Sequence, residues 1–124
     1  MSNRVVHFEI PCDDPEKTMN FFKTVFGWTF RQFGNEPYWS VATGDGKSPG
    51  IDGGLMKKRH PGQPVANSID VADIDAYILK IEAAGGKIVV PKMPVPKVGW
   101  LAYFTDPDGN IHGVYQNDPT ADFK

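Results

Sequence analysis

One cysteine stands in this chain of 124 residues, Cys12, so no internal disulfide can form. No apolar run approaches the ~18 residues that a membrane-spanning helix needs. The first residues, Met1-Ser2-Asn3-Arg4, lack the basic-then-apolar layout of a secretion signal. Charge of one sign is also missing. Thirteen Lys and Arg against fifteen Asp and Glu leave a formal charge of -2. Neither nucleic acid nor an anionic membrane is therefore an expected partner, because both select a basic face. These absences point to the cytoplasm. Glycine (13) and proline (11) are plentiful, which implies short strands and many turns and excludes a plain helical bundle.

The pattern along the chain is strand, helix, three strands, and then the same again. Val5 to Ile10 reads as a strand with Val6, Phe8 and Ile10 on one face. Asp14 and Pro15 open a helix to Phe26, and Gly27 stops it. Strands are expected at Trp28 to Phe33, Tyr38 to Thr43 and Ile51 to Lys57. After a polar linker, Val65 to Val71 is a strand and Asp73 caps a helix carrying Ile74, Tyr77, Ile78 and Ile81. Further strands are Lys87 to Val90, Trp100 to Thr105 and Ile111 to Gln116, with a proline-broken stretch from Pro91 to Pro96. The reading is one domain of two modules. Module one covers about 4–58, the linker 59–64, module two about 65–116, and a loose surface tail 117–124.

An offset of 59 residues sets Ile10 on Ile69, Asp14 on Asp73, Phe22 on Ile81 and Gly27 on Gly86. An offset of 61 sets Tyr38 to Asp45 on Gly99 to Asp106. The matches fall at caps, helix stops and strand ends. Two copies are too few for a solenoid, so two βαβββ units fit better. The fold class is then α+β, a curved eight-stranded mixed sheet or half-barrel around a cleft.

The repeat combines with Val6-His7-Phe8-Glu9-Ile10-Pro11, Phe26-Gly27-Trp28-Thr29-Phe30, Gly53-Gly54-Leu55 and the run from Gly99 through Asp106-Pro107-Asp108-Gly109-Asn110. Over residues 4 to 116 this resembles the glyoxalase / bleomycin-resistance / extradiol-dioxygenase superfamily, also called the vicinal oxygen chelate fold. The texture is closest to the branch related to lactoylglutathione lyase. The resemblance implies a small-molecule ligand in the cleft between modules, and a homodimer.

In metal-using members, the resemblance implies ligands on the first and last strands of each module. Here those positions are His7, Gly53 or Gly54, Ala66 and Gly113. Only His7 retains a ligand, and one imidazole does not hold a catalytic ion. No metal or other cofactor is expected. Other donors that a rearranged site could use are Glu9, Asp52, His60, Asp70 and His112.

His7 and Glu9 share one strand face, with Cα atoms ~6.5–7 Å apart. They are the candidate catalytic pair, able to move a proton or grip a polar ligand. Tyr38, Trp39, Trp100 and Tyr103 are candidates to line a ligand site, a subset of them facing it. His112 should turn toward the helix layer and His60 toward solvent. Trp28 is expected at the seam of the modules, and Lys57-Lys58-Arg59 without an evident partner. Cys12 has no identifiable base and reads as a small packed residue.

Three functions follow. The first is binding of a small organic molecule without the usual metal. The second is a metal-dependent lyase, isomerase or dioxygenase with an atypical site. The third is a metal-free enzyme using His7 for proton transfer.

Overall fold

A computed structural model describes residues 3–123; Met1 and Ser2, and Lys124 of the expected tail, lie outside them. The chain divides into two compact units, His7–Ala66 and the rest of the chain, residues 3–6 with 67–123. Eight strands of mixed direction and two helices make the class α+β.

The first unit holds β1 (Val5–Cys12, from His7 on), α1 (Pro15–Phe26), β2 (Thr29–Gln32), β3 (Tyr38–Ala42) and β4 (Gly53–Lys57). Its strand order is β2-β3-β4-β1, with β1 and β4 parallel and the other pairs antiparallel. α1 begins where Asp14 accepts a bond from Lys17 N at 3.2 Å and Pro15 supplies a preset φ. It ends at Gly27, whose φ of 74° lets its N–H return to Lys23 O at 3.0 Å. The core lies between helix and sheet: Cys12, Val41 and Leu55 are buried, with Phe8, Ile10, Met19, Trp28, Phe30 and Trp39 against them. Trp28 is partly buried against this unit's core. Its indole stacks on Phe22, with ring centres 4.7 Å apart and planes 5° apart.

The second unit repeats the plan with β5 (Ala66–Asp70, from Asn67 on), α2 (Ile74–Ala83), β6 (Lys87–Val95), β7 (Gly99–Thr105) and β8 (Ile111–Asn117). Its order is β5-β8-β7-β6. Asp73 caps α2 by accepting from Ala76 N at 3.2 Å. Val71, Ile74, Ala102 and Val114 are the buried core, with Tyr77, Ile78, Ile81, Trp100 and Phe104 packed on it. The residues before β1's own unit join here: Asn3 N donates to Asp70 O at 2.8 Å, and Asp70 N to Arg4 O at 2.9 Å.

Two expectations are overturned here. The prolines do not break β6, which continues to Val95 with register shifts after Ile88 and after Val90. β6 is at the edge of its sheet, where a missing N–H leaves no ladder bond unmade. The tail is not loose. Lys97 N donates to Ala121 O at 3.0 Å, Asp118 N to Val98 O at 3.0 Å, and Ala121 is buried.

Candidate functional site

Strand alternation sorts each sheet into an apolar face under its helix and a face with the polar groups. On β1, Phe8, Ile10 and Cys12 go to the helix side, which leaves His7, Glu9 and Pro11 on the other. Register carries that assignment across the unit. Glu9 pairs with Gly54 and Gly54 with Ser40; Tyr38 pairs with Met56. The polar face therefore shows His7 and Glu9, Gly54 and Met56, and Tyr38 and Ser40.

Gly53 and Gly54 consequently have different reasons to be glycine. A Cβ on Gly53 would strike Phe8 on the core side. A Cβ on Gly54 would strike the hydroxyl of Tyr38. The phenol lies across the strand and occupies the space that a side chain at 54 would take. From there its oxygen comes within 3.4 Å of His7 Nε2. Glu9 is 9% exposed, and its charge is felt by both groups.

Burial governs the protonation of this pair. It drives the His7 imidazole below its ordinary 6.5, against a smaller upward pull from Glu9. Burial, helped by Glu9, pushes the Tyr38 hydroxyl up to about 12. At neutral pH the two face each other uncharged. The His7 effect also links to stability. Its folded value is depressed, so the neutral ring's contribution is complete above 6.5 and is lost as pH falls below it.

The sequence-derived candidates separate on this geometry. His7, Glu9 and Tyr38 share one face of the first unit. Trp39 does not; it turns to the helix side, opposite Leu55 in the ladder. Trp100 is likewise on the helix side of its own sheet, packed on the α2 core, with Nε1 donating to Asp118 at 3.0 Å and Lys92 Nζ 4.6 Å from a ring centre. Tyr103 lies on the opposite face, across from Gly113. The aromatic subset facing away from the helices is thus the two tyrosines. Alternation decides this, but only once one neighbour's side is known.

The remaining donors are dispersed in structural roles. His112 stacks on Phe104 and its Nε2 lies 2.9 Å from Asp106 Oδ2. That contact, with the N–H groups of Asn110 and Asp108, holds the Asp106 carboxyl well below its usual range. Asp52 accepts from Thr43 N at 2.9 Å, and His60 is exposed on its turn. Lys58 does find a partner, Asp13, at 3.6 Å. Cys12 is 6% exposed, and burial pushes its thiol up, away from a reactive thiolate.

Of the positions where the resemblance implies metal ligands, His7 alone carries a donor side chain. Position 54 has no side chain, and the phenol of Tyr38 fills its place. Ala66 has no donor, and a Cβ on Gly113 would lie 3.0 Å from Ser68 Oγ. Among the described residues no three His, Cys, Asp or Glu side chains come together as a metal site.

Paired βαβββ modules with a polar sheet face opposite each helix define the class of protein. The chain belongs to the glyoxalase/bleomycin resistance protein/dioxygenase superfamily, whose family model matches residues 4–112. It is 30% identical over 118 residues to a protein named as a candidate glyoxylase, CFP32, of Mycobacterium bovis and Mycobacterium tuberculosis. The match takes 90% of this chain but 43% of that protein, so the chain spans less than half the length of these relatives. A superfamily member from Vibrio splendidus has a similar structure, with TM-score 0.64 and 22% identity over 92% of this chain and 98% of that one. So does methylmalonyl-CoA epimerase from Mycobacterium tuberculosis, with TM-score 0.66 and 12% identity over 93% and 88% of the two chains. Identities this low speak to the fold. No helix of the described residues is long and apolar enough to cross a membrane.

Proposed function

We propose that this protein binds a small organic molecule on the polar face of its first sheet, gripping it with His7 and Tyr38 and using no metal. The observation that carries the reading is the phenol of Tyr38 seated where a side chain of residue 54 would stand, 3.4 Å from His7 Nε2. A position that could hold a metal donor instead holds a neutral hydrogen-bonding group. Superfamily membership supports a small-molecule ligand. In this reading the protein is a cytoplasmic homodimer.

One observation favours a second reading, proton transfer by His7. Its imidazole is neutral at pH 7 and so able to accept a proton, and a hydroxyl donor stands beside it. Turnover separates the two: a binding protein releases its ligand unchanged.

The test is a thermal-shift screen of small organic molecules against chelator-treated protein. Ligands should raise the melting temperature of the wild type and lose at least tenfold in affinity with His7→Ala. Hits that bind His7→Ala equally well would place binding elsewhere and sink the proposal.

A further inference from the structure

The donors and acceptors of this face select a class of ligand, an inference that rests on the binding reading above. A hydrogen bond between a hydroxyl and a ring nitrogen closes at ~2.8–3.0 Å, so the 3.4 Å contact of Tyr38 and His7 is long and weak. A third polar atom can open it at little cost. Both groups are neutral at pH 7, for burial opposes charge on each. A neutral imidazole has one N–H and one bare nitrogen, and a phenol gives one hydrogen and accepts another. In either tautomer, the pair offers a third atom one donor and one acceptor. If Nε2 is bare it accepts while Tyr38 donates; if Nε2 carries the hydrogen it donates while the phenol oxygen accepts.

We propose that His7 and Tyr38 together recognise a ligand hydroxyl group, alcohol, enol or phenol. A hydroxyl suits the pair in either tautomer. A carbonyl, carboxylate or ether matches both groups only when Nε2 carries the hydrogen, and an ammonium only when Nε2 is bare. A hydroxyl oxygen ~2.8 Å from both atoms satisfies the two at once. A site built to bond a hydroxyl rejects the analogue that lacks it far more strongly than an apolar pocket rejects an altered methylene. Gly54 and Tyr38 act here as one specificity element. The glycine admits the phenol, and the phenol completes the donor–acceptor pair with His7.

The experiment uses matched probes, phenol against anisole and benzyl alcohol against benzyl methyl ether. His7 imidazole signals are followed by NMR in the full chain at pH 7.5. The hydroxyl members should shift the His7 signals and bind at least tenfold more tightly than their ethers. The preference should vanish in Tyr38→Phe and in His7→Gln, two variants that differ in folding risk. Ethers that shift His7 with equal affinity would overturn the hydroxyl inference and leave the binding site standing. Probes that bind without moving His7, or fail to bind at all, would overturn both.

Discussion

Gly54→Ala is expected to dismantle the site while leaving the chain folded. The added methyl would occupy the place of the Tyr38 hydroxyl. The phenol is the far end of a side chain with free torsions, so it can swing aside instead of breaking the sheet. Once outside, it loses the burial that holds its ionisation at about 12. Its titration, read from phenolate absorbance against Tyr38→Phe as the blank, should fall toward the ordinary 10. Ligand affinity should fall at least tenfold alongside. The sign of the linked stability follows. Tyr38 keeps its proton longer in the folded state, so its contribution is whole below 10 and drains away as pH rises toward 12. Gly54→Ala should therefore resist alkali better, relative to its own stability at neutral pH, than the wild type does. An unchanged titration near 12 in the variant would show that the phenol does not depend on the gap at residue 54.

The second large effect lies in the cores. Leu55 and Ile74 are each 0% exposed, one in each unit. Truncating either to alanine removes buried methyl groups and leaves a cavity, a loss of about 3 kcal/mol within the usual range of ~2–5. Urea denaturation would measure it. Leu55 neighbours Gly54 in sequence but faces the other side of the sheet. Leu55→Ala should thus cost stability and spare the His7–Tyr38 face, the reverse of Gly54→Ala. A loss below 1 kcal/mol would show that the helix-side packing does not carry the stability assigned to it.

Much of this architecture can be read from residues in isolation. Asp14 with Pro15, Asp73, and Gly27 are helix signals whose physics is local, and the structure uses them as caps and stops. His7 and Glu9 were legible because a period of two places them opposite Phe8 and Ile10. The aromatic residues were not legible in the same way. Tyr38 and Trp39 are adjacent and equally bulky, and only the ladder from Leu55 to Trp39 shows which of them goes under the helix. In the sequence, Gly53 or Gly54 shows only the absence of a metal ligand, without saying which of the two stands at that position. The partner of Gly54 across the strand gives the positive reason, a contact between residues sixteen apart that no local pattern encodes. The prolines of β6 misled because their cost depends on whether a strand is central or at an edge, which is a property of the finished sheet. The docked tail was hidden for a similar reason: Ala121 is small and unremarkable until Lys97 meets it.

The central claim is that a phenol and an imidazole, not a metal, make this site. Metal content per chain, measured on protein purified without a metal-affinity step, tests it most directly when paired with melting before and after chelation. The account predicts far less than one divalent ion per chain and a melting temperature that chelator does not move. Near-stoichiometric metal with a melting temperature lowered by chelator would contradict it, and would show that donors held apart here converge on an ion.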